Sequence, residues 1–164
     1  MLFRSPDGVT SIGNRAFSGC TSLTSVLVNE NNASYSSDGV ALYNKDKSLL
    51  ITVPGGVTSF VIPDSVTSIG EAAFKSCTNL ESITIPDSVT SIGEYAFNLC
   101  TSLTSVTIPD SVTSIANRAF SDCTSFTSVH FNGTKTQWEA VHKVSWDYKT
   151  GDYTIYCTDG NITK

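Results

Sequence analysis

The chain has 164 residues, of which 40% are apolar and 15% charged, with a net charge of −5. That length predicts one domain with its own core. An acidic balance without basic clusters argues against nucleic acid or an anionic membrane surface as partner. No apolar run approaches the roughly 20 residues of a spanning helix, and Met1 to Pro6 lacks the basic start and apolar stretch of a signal peptide.

A ten-residue pattern, Ser-Ile-Gly-x-x-Ala-Phe-x-x-Cys, begins at Ser11 and ends at Cys20. It returns from Ser68 to Cys77, from Ser91 to Cys100 and from Ser114 to Cys123. The last three copies are 23 residues apart, and Cys20 lies 57 residues before Cys77, so one coil carries 11 extra residues. The pairs Pro6-Asp7, Pro63-Asp64, Pro86-Asp87 and Pro109-Asp110 keep the same beat. A period of this size with Leu-x-x-Val-x-Ile spacing falls in the leucine-rich-repeat range.

Alternating β-branched residues predict short strands over Leu23–Val28, Val57–Ile62, Leu80–Ile85, Leu103–Ile108 and Phe126–Phe131. Stacking the repeats makes these one continuous parallel wall. Pro-Asp ends each strand, because proline cannot donate to the next ladder bond. Ala119, Phe120 and Cys123 fit one face of a helical turn, and Ser68-x-x-Glu71 and Ser91-x-x-Glu94 fit capping boxes at its start. Ala116 stands where Gly13, Gly70 and Gly93 stand, so that site does not demand a positive φ. In the long coil, Val40 to Ile51 reads as two apolar runs around a polar turn, a β-hairpin in place of the helical turn. Phe74, Phe97 and Phe120 are expected in single file.

The expected fold is therefore α/β: a right-handed leucine-rich-repeat solenoid over residues 1–131, with its hairpin coil at about 29–56. The parallel sheet forms the concave face and short helical turns the convex one. The repeat stops at Phe131, and 132–164 reads as a C-terminal cap, with Gln137–His142 a short helix and Tyr153–Cys157 a closing strand. Trp138 and Trp146 plug the end of the core rather than bind a ligand. The chain starts inside a coil, with Phe3 in the strand segment before Pro6, and is expected to continue a longer protein.

Candidate chemistry is sparse. Cys20, Cys77, Cys100 and Cys123 share one repeat position and Cys157 stands alone. Without a Cys-x-x-Cys pair there is no zinc signature, and straight stacking is slightly too wide for a disulfide. These thiols read as buried, reduced, small apolar residues. Asp64, Asp87 and Asp110 form a column that either shapes the turn after Pro or invites Ca²⁺; the turn is favoured. His130 points outward on the last strand, His142 lies in the cap, and no nucleophile motif accompanies either. Asn32-Ala33-Ser34, Asn132-Gly133-Thr134 and Asn161-Ile162-Thr163 are sequons expected from high Ser/Thr content. Catalytic, cofactor and metal residues are accordingly none.

Recognition is the remaining class. Ser25, Ser59, Ser82, Ser105 and Ser128 form a constant outward column, read as a hydroxyl ladder. Leu27, Val61, Thr84, Thr107 and His130 form a variable one, and these five are the candidate partner-binding residues.

Ile85-Pro86-Asp87-Ser88-Val89-Thr90-Ser91-Ile92-Gly93 with Ala96-Phe97-x-x-Cys100 resembles the BspA-like leucine-rich repeat family of bacterial surface proteins and some protist ones. The hairpin coil fits through Asn31-Asn32, Tyr35, Asp38-Gly39-Val40, Leu42 to Asp46 and Pro54. The ending fits through Phe131 to Lys135, Trp138 and Cys157 to Gly160. Ala116 and Phe126 depart from the pattern. The resemblance implies a secreted or cell-surface protein, several members being adhesins for host or matrix proteins, and it implies no catalytic activity. The expected partner is an extracellular or host protein, or a glycan, met by a monomer through the concave sheet. The alternative is a passive spacer in a larger surface protein.

Overall fold

The computed structural model describes residues 1–164 as a β-solenoid with little helix. The first coil contributes β1 (Leu2–Ser5) and β2 (Ser25–Val28). The long coil adds β3 (Tyr35–Ser37), β4 (Leu42–Asn44) and β5 (Leu49–Thr52). Regular coils follow with β6 (Ser68–Ile69), β7 (Ser82–Thr84), β8 (Ser91–Ile92), β9 (Ser105–Ile108), β10 (Ser114–Ile115) and β11 (Ser128–Phe131). The closing segment is α1 (Lys135–Ala140), β12 (His142–Lys143), β13 (Thr154–Cys157) and β14 (Gly160–Thr163).

Each regular coil places one strand in each of two sheets. One sheet runs β14-β13-β11-β9-β7, the other β12-β10-β8-β6-β5-β4-β3, and β1-β2 stands apart. The parallel register is that of the repeat. Ser82 aligns with Ser105 and Ser105 with Ser128 in the first sheet, while Ser68, Ser91 and Ser114 align in the second. The expected single file is present. Phe74 stacks on Phe97 and Phe97 on Phe120, with centroids 4.7 Å apart and planes 11° and 12° off parallel. Ile69, Ile92 and Ile115 from one sheet and Ile83, Val106 and Val129 from the other close the same core.

Four expectations need correction. The turns between the sheets are not helical. Ala72, Tyr95 and Arg118 have φ near 55°, and Ser76, Leu99 and Asp122 have φ of 60–63°. This lets alternate N–H groups point at the next coil: Ala72, Phe74 and Ser76 donate to the carbonyls of Glu94, Ala96 and Asn98. A helix would spend those donors on itself. Three inter-coil bonds at about 1 kcal/mol each outweigh two left-handed residues at roughly the same cost. No capping box therefore forms at Glu71 or Glu94. Gly70 and Gly93 answer to close approach instead, since a Cβ on Gly93 would meet the Gly70 carbonyl carbon at 2.7 Å.

The wall is also not continuous. Val57–Ile62 is not a strand, and no backbone group of Thr58 to Ile62 is hydrogen-bonded. Ile62 is buried and Phe60 meets Phe74 edge-on at 5.8 Å, so the apolar alternation reports burial here without a ladder. Pro54-Gly55-Gly56 before it has none of the positive-φ residues with which the regular turn passes to its strand. Third, Cys20 is exposed and Cys157 half-buried, whereas Cys77, Cys100 and Cys123 are buried. Fourth, the Pro-Asp turns are closed by Pro carbonyls accepting from Val66, Val89 and Val112, and the side-chain bonds come from Ser88 and Ser111 to the preceding coil, not from Asp.

The hairpin is present: β4 and β5 are antiparallel, and β3 adds a strand that the hydrophobic pattern did not show. At the far end, Thr134 and Gln137 form a reciprocal capping box on α1. Trp138 and Trp146 are buried edge-on against Phe131, Phe120 and Tyr153, as expected of a plug.

Candidate functional site

Of the five candidate residues, three share one sheet. Thr84 pairs with Thr107 and Thr107 with His130 across β7, β9 and β11. Leu27 lies on β2, paired with Arg4 of β1, and Val61 lies in the unpaired segment with 86% of its surface exposed. The long coil lies between Leu27 and Val61, and neither residue belongs to that sheet. Two residues missing from the candidate set continue the same row: His130 pairs with Tyr156, and Tyr156 with Asn161. The His130 and Tyr156 rings stack at 5.1 Å, 12° off parallel. The signal for Tyr156 was its place in a strand-like run after the repeat, once that strand joins this sheet.

The second outward row is Ser82, Ser105, Ser128, Thr154 and Thr163. It is not the expected hydroxyl ladder, because none of these hydroxyls is engaged within the protein. The ladder is made by threonines beside it. Thr104 and Thr127 donate to the carbonyls of Glu81 and Thr104, at 3.0 and 3.1 Å. In the other sheet, the hydroxyls of Ser68 and Ser91 are 2.8 Å apart and Thr90 and Thr113 donate to the preceding threonine carbonyl. The outward face of β7, β9, β11 and β13 thus carries no Asp, Glu, Lys or Arg, and its hydroxyls make no hydrogen bond within the protein.

The reactive groups are arranged for structure. The Cys100 and Cys123 thiols donate to the carbonyls of Phe74 and Phe97 at 3.1 Å. Burial pushes the Cys77 thiol up to about 12, and burial with the adjacent Cys123 raises Cys100 well above an ordinary thiol. Neither histidine hydrogen-bonds through its ring, and no three His, Cys, Asp or Glu side chains converge on a point that could hold a metal ion.

The model of the BspA type leucine rich repeat region matches residues 2–56 and 54–142 in six copies. The chain belongs to this family. BspA-type repeats are scaffolds of protein interaction, and the 23-residue beat is their coil. No curated protein matches the chain. Solved structures do. The pneumococcal vaccine antigen PcpA superposes with a TM-score of 0.71 at 23% identity, over 80% of this chain and 39% of its own. A leucine-rich repeat protein from Eubacterium ventriosum gives 0.68 at 21%, over 96% and 48%. A leucine rich cell surface protein from Faecalibacterium prausnitzii gives 0.53 at 29%, over 88% and 51%. The chain spans about half or less of the length of these proteins. No helix is long and apolar enough to cross a membrane.

Proposed function

We propose that this chain is a non-enzymatic binding module of a secreted or cell-surface bacterial protein, adhering as a monomer to a host or extracellular protein. It binds through the outward face of β7, β9, β11 and β13, the concave side of a right-handed winding, and 132–164 serves as its end cap. The observation that carries this is the row Thr84, Thr107, His130 and Tyr156 with its neighbouring serines. Their hydroxyls and rings lie in register and make no hydrogen bond to the protein, so a partner meets groups with open donors and acceptors. Leu27 and Val61 lie outside that row and belong to the contact only at its margin. The cell-surface relative from Faecalibacterium prausnitzii supports the extracellular placement.

The test is a Thr84→Lys/Thr107→Lys/His130→Glu variant, screened with the parent on an array of extracellular and host proteins. Loss of a parental signal with unchanged melting supports the module. Binding that survives unchanged overturns the sheet face as the contact, and no parental binding at all favours a passive spacer.

A further inference from the structure

The edge where the positive-φ turns stack carries a feature the linear sequence hides. Arg15, Lys75, Tyr95, Arg118, Tyr148 and Lys149 come from five coils and form one contiguous strip. The Arg15 guanidinium lies 4.4 Å from the Tyr95 ring centroid, Lys75 5.5 Å and Arg118 5.9 Å. Arg118 also lies 5.3 Å from the Tyr148 centroid, and Lys149 5.2 Å. Ala72 occupies the column between Arg15 and Tyr95, and its small side chain lets Arg15 reach across.

Four of the ten cations of a chain with net charge −5 are gathered here. The carboxylates nearby are held by side chains of the turns, and one of them, Glu71, is paired with the strip's own Arg15. Glu71 accepts from Asn14 and Arg15, Glu94 from Asn117, and Asp122 from Asn98 and Ser121. The ion pairs of the molecule are Arg15–Glu71 and Lys164–Asp147, so Lys75, Arg118 and Lys149 form no ion pair with a carboxylate. Arg118 spends one donor on the Tyr95 hydroxyl, at 3.2 Å, and keeps the others of its fork.

We propose that this edge is a second binding surface, for a flexible carboxylate-rich peptide segment of a partner protein. The charge is complementary, and the guanidinium fork matches a carboxylate bidentately. The tyrosines position the cations. Cations already lie over their rings, which argues against a sugar chain that would need those faces for stacking.

The probe is a fluorescein-labelled peptide of repeating Glu-Ser, followed by anisotropy at low ionic strength and again at about 0.15 M salt, where exposed charges are screened beyond ~8 Å. The parent binds, and salt weakens it. Arg118→Glu/Lys149→Glu weakens it about tenfold or more, while Arg4→Glu/Lys135→Glu, the same charge change elsewhere, stays within about twofold. Arg118→Gln/Lys149→Gln replaces the reversal if that variant melts early. Absence of parental binding, equal loss in the control variant, or tighter binding of a heparin oligosaccharide than of the peptide overturns the proposal. Retained peptide binding in Thr84→Ala/Thr107→Ala/His130→Ala shows the edge acting apart from the sheet face, and loss there overturns it as a separate site.

Discussion

The first coil and the three regular coils carry the same ten-residue pattern in different surroundings. Phe97 is sandwiched between Phe74 and Phe120, and Cys100 is sealed behind it. Phe17, at the same repeat position, is half-buried and meets Phe3 edge-on at 5.1 Å, and Cys20 is exposed. Leu23, Val26 and Leu42 form a small core of their own beside it. The cause is the coil between them. It offers Val53-Pro54-Gly55-Gly56 where the others offer Ala-Phe-x-x-Cys, so the phenylalanine file has no member there. Gly55 is pressed between neighbouring turns, and a Cβ on Gly56 would meet the Leu23 carbonyl oxygen at 2.7 Å. A motif in a solenoid thus acquires its environment from the coils on either side.

Four measurements break or sharpen that contrast. Phe97→Ala is expected to cost about 3–5 kcal/mol in urea unfolding, and Phe17→Ala roughly 1–2 kcal/mol, because only the first leaves a closed cavity; equal losses would erase the difference. Next, Gly93→Ala pushes a Cβ into the Gly70 backbone and should cost about 1–3 kcal/mol. Gly13→Ala meets open space at the same repeat position and should change thermal stability little. A smaller effect concerns the long coil. Burial raises the Asp38 carboxyl, but hydrogen bonds from Tyr43, Ala41 and Val40 outweigh it and hold the group below its ordinary value. Its folded pKa is depressed, so its contribution is present above the unfolded pKa of about 3.9 and is lost as pH falls through the folded value. Melting followed between neutral pH and pH ~3 should therefore show a steeper acid decline in the parent than in Asp38→Asn. The least energetic test is chemical. Iodoacetamide should label Cys20 in the folded protein, while Cys77, Cys100 and Cys123 wait for unfolding, as mass spectrometry of timed samples would reveal.

The repeat was legible because stacking needs like residues at like spacing. The serine register, the Phe file and the strands around Val106 and Val129 follow from it. The turn conformation was not legible. Tyr95, Leu99 and Arg118 are ordinary helix-tolerant residues, and only the carbonyls of the next coil make a left-handed φ worth its cost. Val57–Ile62 looked like its neighbours because hydrophobic alternation records burial and is silent about backbone partners. Within the candidate surface, Thr84, Thr107 and His130 could be aligned by counting. Tyr156 could not, since its strand follows an irregular segment of unknown path.

What the amino-acid order determined alone is the period, the family and the identity of the core columns, since these depend on residues spaced evenly along the chain. Tertiary structure decided which outward groups become neighbours across uneven gaps. Arg15, Lys75, Arg118 and Lys149 are scattered through the sequence and meet only because each winding returns the backbone to the same edge. Proximity there is set by the stacking of coils, a distance that separation along the chain does not encode.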